Sequence, residues 1–247
     1  MTRLTRRQWV FTALFVIVAA SCVRLGFWQL DRLSQRRAAN ARIEARMATQ
    51  PVQLTGAVVD VADLEYRPVV VRGTFDPAHS ISLANRARND EPGVHLVTPF
   101  RLQGTDLAVL VDRGWIPAAD SARAAWAKYD LSGTVEVNGI ARSSSPEPGW
   151  SILADPTRGP GAPPQDSWRV LNIANIQTQI PYRLLPVAIE MSGDSQPGSP
   201  VPDPDIDLTD GPHLSYAVQW FSFAGIALIG GGLWLRYSLA HPAVAHP

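Results

Sequence analysis

The residue with the clearest chemical potential is His213. It stands at the entry to a charge-free stretch, directly after Pro212 and a run rich in aspartate. From Tyr216 to Leu235 there are 20 residues, of which only Gln219 and Ser222 are strongly polar. At ~1.5 Å rise per residue the stretch is roughly 30 Å long, the thickness of a bilayer's hydrocarbon core. On a helix, His213 shares a face with Tyr216, Ala217 and Trp220. A neutral imidazole at the edge of an apolar, aromatic-rich helix pair can ligate haem iron while the macrocycle lies in the apolar layer. It can equally be an interfacial histidine that caps a span, and spacing leaves both readings open.

Other candidate groups are less specific. His79 falls in an expected turn and His95 on an expected strand, where a solvated or packed histidine is the ordinary reading. No serine sits in a nucleophile-elbow setting, and Gly230-Gly231-Gly232 lies within a span, where close helix packing explains it. Cys22 is the single cysteine, which excludes an intrachain disulfide, a cysteine zinc cluster and a covalent c-type haem motif. Nothing in these patterns supports catalysis, and the expectation is a protein that is not an enzyme.

The elements that would hold His213 follow from hydropathy. Residues 1–8 form a short basic tail, and 9–30 a mostly apolar span interrupted by Arg24. A cleaved signal peptide is the rival for this segment, with Ala19-Ala20-Ser21-Cys22 as its processing site. Apolar character resumes through Leu25-Gly26-Phe27-Trp28, and Trp28 lies at aromatic-belt depth, so a retained span is expected. Residues 31–50 read as a polar helix ended by Pro51. From Val52 the period changes to two, with strands expected over 67–75, 80–88, 94–102, 107–116, 134–142 and 184–191. Turns are expected at Asp76-Pro77-Ala78-His79, Pro92-Gly93 and Gln103-Gly104-Thr105, a short helix over 119–129, and a helical turn or two over 173–180. Residues 143–167 carry six prolines and read as a long mobile loop. Residues 193–212 carry five prolines and five aspartates, an extended tether with almost nothing to bury. The second span covers 213–235 and a short tail 236–247.

The expected fold class is therefore membrane-anchored α+β. Two antiparallel transmembrane helices flank a β-rich domain over 51–192, an antiparallel sheet or barrel-like. The net charge of zero hides a split: residues 1–50 carry nine arginines against Asp31 and Glu44, a net of +7. With an apolar segment inside it and no RNA- or DNA-binding motif, that basic end is lipid-facing and no nucleic-acid partner is expected. Arg3, Arg6, Arg7 and Arg236 place both termini in the cytoplasm, although Arg32, Arg36 and Arg37 argue the other way. The expectation is a multi-pass protein of the cell (inner or plasma) membrane with its central domain extracytoplasmic.

Several blocks resemble one family. Gly26-Phe-Trp-Gln-Leu-Asp-Arg32 resembles the first-span signature of the Surfeit locus family of cytochrome c oxidase assembly factors. Tyr66-Arg-Pro-Val-Val-Val-Arg-Gly-Thr-Phe-Asp76 is similar to its first strand motif. Gly93-Val-His-Leu-Val-Thr-Pro-Phe100 and Val109-Leu-Val-Asp-Arg-Gly-Trp-Ile-Pro117 resemble its central pair. His213-Leu-Ser-Tyr-Ala-Val-Gln-Trp-Phe221 resembles its second-span signature. The resemblance implies a role in maturing the haem a centre of oxidase subunit I, with transient haem a as cofactor. It implies His213 as axial ligand to the haem iron and Trp28, Gln29 and Arg32 lining the same site, beside Tyr216 and Trp220. Subunit I, haem a synthase and the lipid bilayer are the implied partners. A membrane scaffold that stabilises an oxidase assembly intermediate without binding haem is the alternative. Two departures stand out: Gly211-Pro212 replaces the family's polar residues before the histidine, and Trp168-Arg-Val-Leu-Asn172 lacks the family's tyrosine and acid. No transit-like segment opens the chain, which favours a bacterial member.

Overall fold

The computed structural model describes residues 4–55, 63–144, 155, 163–194, 196–204 and 206–241. The chain divides into two units, 1–42 with 207–247, and 43–206.

The first unit is a helix pair. Helix α1 runs unbroken from Arg6 to Met47, about 63 Å at 1.5 Å per residue, twice the depth of a hydrocarbon core. The polar stretch after Leu30 therefore continues the apolar one as the same helix. Helix α3 spans His213–Ala240. Both are long and apolar enough to cross a membrane. The buried positions of α1 are Ala19, Cys22, Gly26, Gln29, Leu33 and Asn40, spaced by three or four and, at the last step, by seven, as a packing seam requires. On α3 the buried positions are all alanine: Ala217, Ala224 and Ala227. Small residues let the backbones approach. The helices run antiparallel, since Phe11 packs on Trp234, Phe27 on Phe221, and Gln8 hydrogen-bonds Ser238. Of the three adjacent glycines only Gly231 is at a close contact: a Cβ there would lie 2.8 Å from Phe15 Cγ, whereas Gly230 and Gly232 face open space. Phe27, Val16, Ile226 and Ile229 turn large apolar side chains outward.

The second unit is a closed barrel. Strands β2 (Pro68–Phe75), β4 (Glu91–Leu102), β5 (Leu107–Pro117), β6 (Val135–Ser143) and β8 (Arg183–Met191) form the ring β2-β6-β8-β5-β4-β2. Strands β1 (Val52–Gln53), β3 (Ile81–Arg88) and β7 (Ser167–Trp168) extend the sheet. Alternate residues fill the interior, among them Val69, Val71, Val109, Val111, Val187 and Ile189. Strand β5 is buried on both faces. Its Ala108 and Leu110 meet an outer layer built by Trp168 and the short helix α2 (Ile173–Gln177). The ring closes where Gly73 of β2 faces Leu102 of β4; a Cβ on Gly73 would lie 1.9 Å from the Arg101 carbonyl oxygen.

The structure corrects four expectations. The ring is not wholly antiparallel, because β8 pairs with β5 in parallel after a long crossover. The turn before β4 is made by Asn89 and Asp90, both at positive φ, and not by Pro92-Gly93, which lie within the strand. Asn and Asp tolerate the left-handed region that a two-residue hairpin loop demands. Residues 118–129 form two 3₁₀ turns, Ala118–Asp120 and Arg123–Tyr129, in place of one short helix. Among the described residues, the 193–212 tether is held at two places. Val201 and Trp115 exchange backbone hydrogen bonds of 2.8 and 2.9 Å, and residues 207–210 bind side chains of α1. The expected proline-rich loop over 143–167 lies largely outside the described residues.

Trp168 is fully buried, and Asn172 accepts a hydrogen bond from the Asn175 N–H as the N-cap of α2. The stretch that lacks the family's tyrosine and acid is thus core and cap in this chain. Asn does there what Asp would do, since both are good N-caps.

Candidate functional site

The helix pair brings together two of the residues singled out above. Gln29 is buried on the seam of α1, and His213 is the first residue of α3, half-buried. His213 Nδ1 lies 2.9 Å from Gln29 Oε1. An amide oxygen can only accept, so Nδ1 carries the proton. The other ring nitrogen, Nε2, then presents its lone pair, and among the described residues it makes no hydrogen bond. A histidine held by a donated Nδ1–H with a free Nε2 has the arrangement of a metal ligand oriented by a neighbouring group. The polar partner absent from Gly211-Pro212 is supplied instead by the other helix.

The remaining expected site residues are placed differently. Trp28 is exposed, with the Arg32 guanidinium 5.5 Å from its ring centroid. Arg32 also donates to Gln35 Oε1, which places it on the face of Asp31 and Gln35. Tyr216 is exposed, and Trp220 meets Phe223 edge-on at 5.9 Å. Among the described residues no hydrogen bond or ring contact joins Trp28, Arg32, Tyr216 or Trp220 to His213. Their spacing puts them near the same helix ends without making them one constellation.

Gly26 lies one turn from Gln29, and a Cβ on it would lie 2.6 Å from the Phe221 ring. It keeps the helices close enough for an amide on one to reach an imidazole on the other. Its place in the first-span signature carried that signal, but spacing along a single helix did not.

In the barrel, the two central strand motifs are joined by side chains. His95 of β4 and Asp112 of β5 are both buried, with Nδ1 2.9 Å from Oδ2; Asp112 Oδ1 accepts from the Gly114 N–H. The register slips between His95 and Val97, so that His95 pairs with Trp115 and Val97 with Asp112, and the His95–Asp112 contact runs diagonally across the bulge. Gly114, at φ +108°, passes so close to Val201 that a Cβ would lie 2.0 Å from its carbonyl oxygen. At the barrel's other histidine, Asp76 Oδ2 meets His79 Nδ1 at 2.8 Å and accepts from the Tyr182 hydroxyl at 2.6 Å. Among the described residues no three His, Cys, Asp or Glu side chains gather as a metal cluster.

The motifs so placed agree with comparison to known proteins. A family model described as the SURF1 family matches residues 16–225. The chain belongs to the SURF1 family. Similar SURF1-family proteins include a SURF1-like protein of Monosiga brevicollis, 29% identical over 83% of this chain and 79% of its own length. Surfeit locus protein 1 of Xenopus tropicalis is 26% identical over 90% of this chain and 74% of its own. Surfeit locus protein 1 of Homo sapiens is 24% identical over 93% and 76%. These relatives are eukaryotic. The SURF1 match extends from the middle of the first apolar segment to past Phe221, so it takes in Gln29, the barrel and His213.

Proposed function

We propose that this SURF1-family chain is a membrane-anchored, non-enzymatic assembly factor for a haem-copper cytochrome c oxidase. It holds or presents haem a during maturation of subunit I. The observation that carries this reading is the hydrogen bond between Gln29 Oε1 and His213 Nδ1, which fixes the imidazole with Nε2 free at the end of an apolar helix pair.

The donor set fits the group. Haem iron takes a neutral imidazole nitrogen, and the chain offers one at His213, oriented by the Gln29 amide. Haem a, if held through His213 Nε2, would supply the redox-active iron centre that the oxidase receives. The chain's own contribution is to hold the ring in one tautomer and to keep the helix ends together through Gly26. Subunit I and haem a synthase are the partners on this reading. α1 and α3 both cross the bilayer, both termini lie in the cytoplasm, and the barrel faces outside.

The decisive experiment purifies the protein from cells making haem a, as wild type and as His213→Ala. Loss of pigment supports the assignment; an unchanged spectrum and occupancy remove His213 as ligand. Topology is tested separately with Ser132→Cys, an exposed position in the barrel unit. An impermeant thiol reagent should modify it in intact cells, and protection would invert the orientation.

A second reading, a scaffold that stabilises an assembly intermediate without haem, is favoured by one observation: Tyr216 and Trp220 do not close around His213. A scaffold comes out colourless yet still captures subunit I.

A further inference from the structure

A separate cavity opens at one end of the barrel. It measures about 250 Å³ and lies between the strands and the returning segment around Gln196 to Pro202. Its walls are largely apolar, with Phe75, Val137, Met191 and Pro200 among them, and Arg113 of β5 lines it as well. Arg113 is only 2% exposed. Its guanidinium donates one Nη2 hydrogen bond to the Tyr129 carbonyl and lies 4.9 Å from the Phe75 ring centroid. Nη1 is buried and has no hydrogen-bond partner among the described residues.

A buried guanidinium with unused donors is an incomplete arrangement. Desolvating a cation is costly unless it is paired, and guanidinium geometry suits a carboxylate. Burial depresses the Arg113 pKa to about 10, against the opposing pull of Asp130, so its charge is incompletely compensated by the fold. Glu136 and Asp194 also line the cavity, but both are exposed, where water screens them far more than it screens Arg113. The volume falls below the ~300–1,000 Å³ of most ligand clefts, so the occupant is fragment-sized.

We propose that this cavity is a binding site for a carboxylate carried on a short apolar group, with the carboxylate on Arg113 and the stem against Phe75, Val137 and Met191. Such a group can be a free small acid or the carboxyl terminus of a peptide that ends in an apolar residue. The segment around Ser199 forms the outer wall and is held there by the Val201–Trp115 backbone pair.

The test uses the full chain in nanodiscs with ¹³C-methyl methionine. The chain has three methionines, Met1, Met47 and Met191, and only Met191 lines the cavity. 3-Phenylpropionate should shift the Met191 methyl saturably and leave the other two unmoved. 3-Phenylpropanol should bind at least about tenfold more weakly, because it lacks the charge-assisted bonds. Arg113→Gln should abolish the preference for the acid. Ser199→Trp, which leaves Arg113 in place, should abolish the shift itself and keeps the test decisive if Arg113→Gln does not fold. Ala-Ala-Phe and its carboxyl amide then separate the sources: a free-acid peptide that outcompetes 3-phenylpropionate points to a chain terminus, and the reverse to a small acid. Equal response to acid and alcohol, no Met191 response to either acid, or a Met191 shift that survives Ser199→Trp overturns the proposal.

Discussion

Gln29 Oε1 lies 2.9 Å from His213 Nδ1, a contact between side chains 184 positions apart in the chain. It fixes which nitrogen of the imidazole carries the proton, and therefore which one is available as a ligand. Gln29→Leu keeps the side chain's size and removes the acceptor. In ¹⁵N spectra at neutral pH, the wild-type His213 ring should show the Nδ1–H tautomer. In Gln29→Leu that signature should give way to an averaged pair of shifts. A ring that keeps the Nδ1–H form in the variant would mean that Gln29 does not set it. This readout needs no bound pigment.

The helix pair predicts its own mutational pattern. A Cβ at Gly231 meets Phe15 Cβ and Cγ at 2.9 and 2.8 Å, near the root of that side chain, where no small rotation clears it. Gly231→Val should lower stability in detergent by about 1–3 kcal/mol, the range for overpacking. Gly230→Ala and Gly232→Ala, facing open space, should stay within about 1 kcal/mol of wild type. Thermal unfolding of the three variants checks this, and equal losses would contradict the assignment of the contact to Gly231.

Much of the barrel was legible because period-two alternation and turn chemistry are local. The strands through Val71, Val97, Val111, Val137 and Ile189 are all at the places their pattern implies. What was not legible is long-range. Closure depends on Gly73 meeting Leu102, and the parallel pairing of β5 with β8 follows a crossover that no local pattern encodes. The Pro92-Gly93 turn was misread because Asn89-Asp90, just upstream, is the pair able to take positive φ at both residues. At the candidate site, His213 stood out by its setting. Its partner Gln29 was visible only as one letter of a resemblance, since no spacing within either helix connects them. Arg113 stood in the sequence only as one letter of the block Val109 to Pro117, beside Asp112, and nothing local marked the cavity it lines.

Buried polar pairing in the barrel sets a second stability test. Asp112 accepts from both His95 and the Gly114 N–H while nearly excluded from water. His95→Ala leaves that carboxyl short of one partner, and Asp112→Ala leaves a buried imidazole and an amide short of theirs. Each should lose about 1–3 kcal/mol, the cost of leaving a buried polar group without its partner. The double variant should lose clearly less than the sum, because the second change removes the group the first had stranded. Denaturant midpoints measure this, and strict additivity would show that the two do not interact.

Acid sensitivity should involve Asp76. Burial alone would raise its pKa, but the Tyr182 hydroxyl and His79 outweigh burial and hold it below the ordinary carboxylate value. A carboxyl depressed in the folded state contributes stability above its unfolded pKa, ~3.9, and loses that contribution as pH falls through the lower folded value. Asp76→Asn should therefore narrow the stability difference between neutral pH and the region below about pH 4. Unfolding curves across that window for both proteins test it. An identical acid slope would show that the cluster at His79 and Tyr182 is not a source of the pH dependence.

The segment 207–210 is fastened to α1 by two kinds of bond, and salt should separate them. Arg36 pairs with Asp207 at 2.9 Å and Arg37 with Asp210 at 2.7 Å, all four groups substantially exposed. Asn40, 6% exposed, donates to the Leu208 and Thr209 carbonyls at 2.7 and 3.1 Å. Screening shortens the reach of the exposed ion pairs from ~10 Å at 0.1 M salt to ~3 Å at 1 M, and leaves a neutral, buried amide bond almost untouched. Hydrogen exchange over 207–210 should thus rise only modestly with salt in the wild type. Arg36→Ala with Arg37→Ala should raise exchange at low salt and remove the salt dependence. Asn40→Ala should raise exchange at every salt concentration, and the salt dependence should become steeper because only the exposed Arg36 and Arg37 contacts remain, the ion pairs with the Arg36 bonds to the Asp207 and Thr209 carbonyls. A wild-type segment that exchanges as fast as the Asn40→Ala variant would show that the buried amide does not hold it.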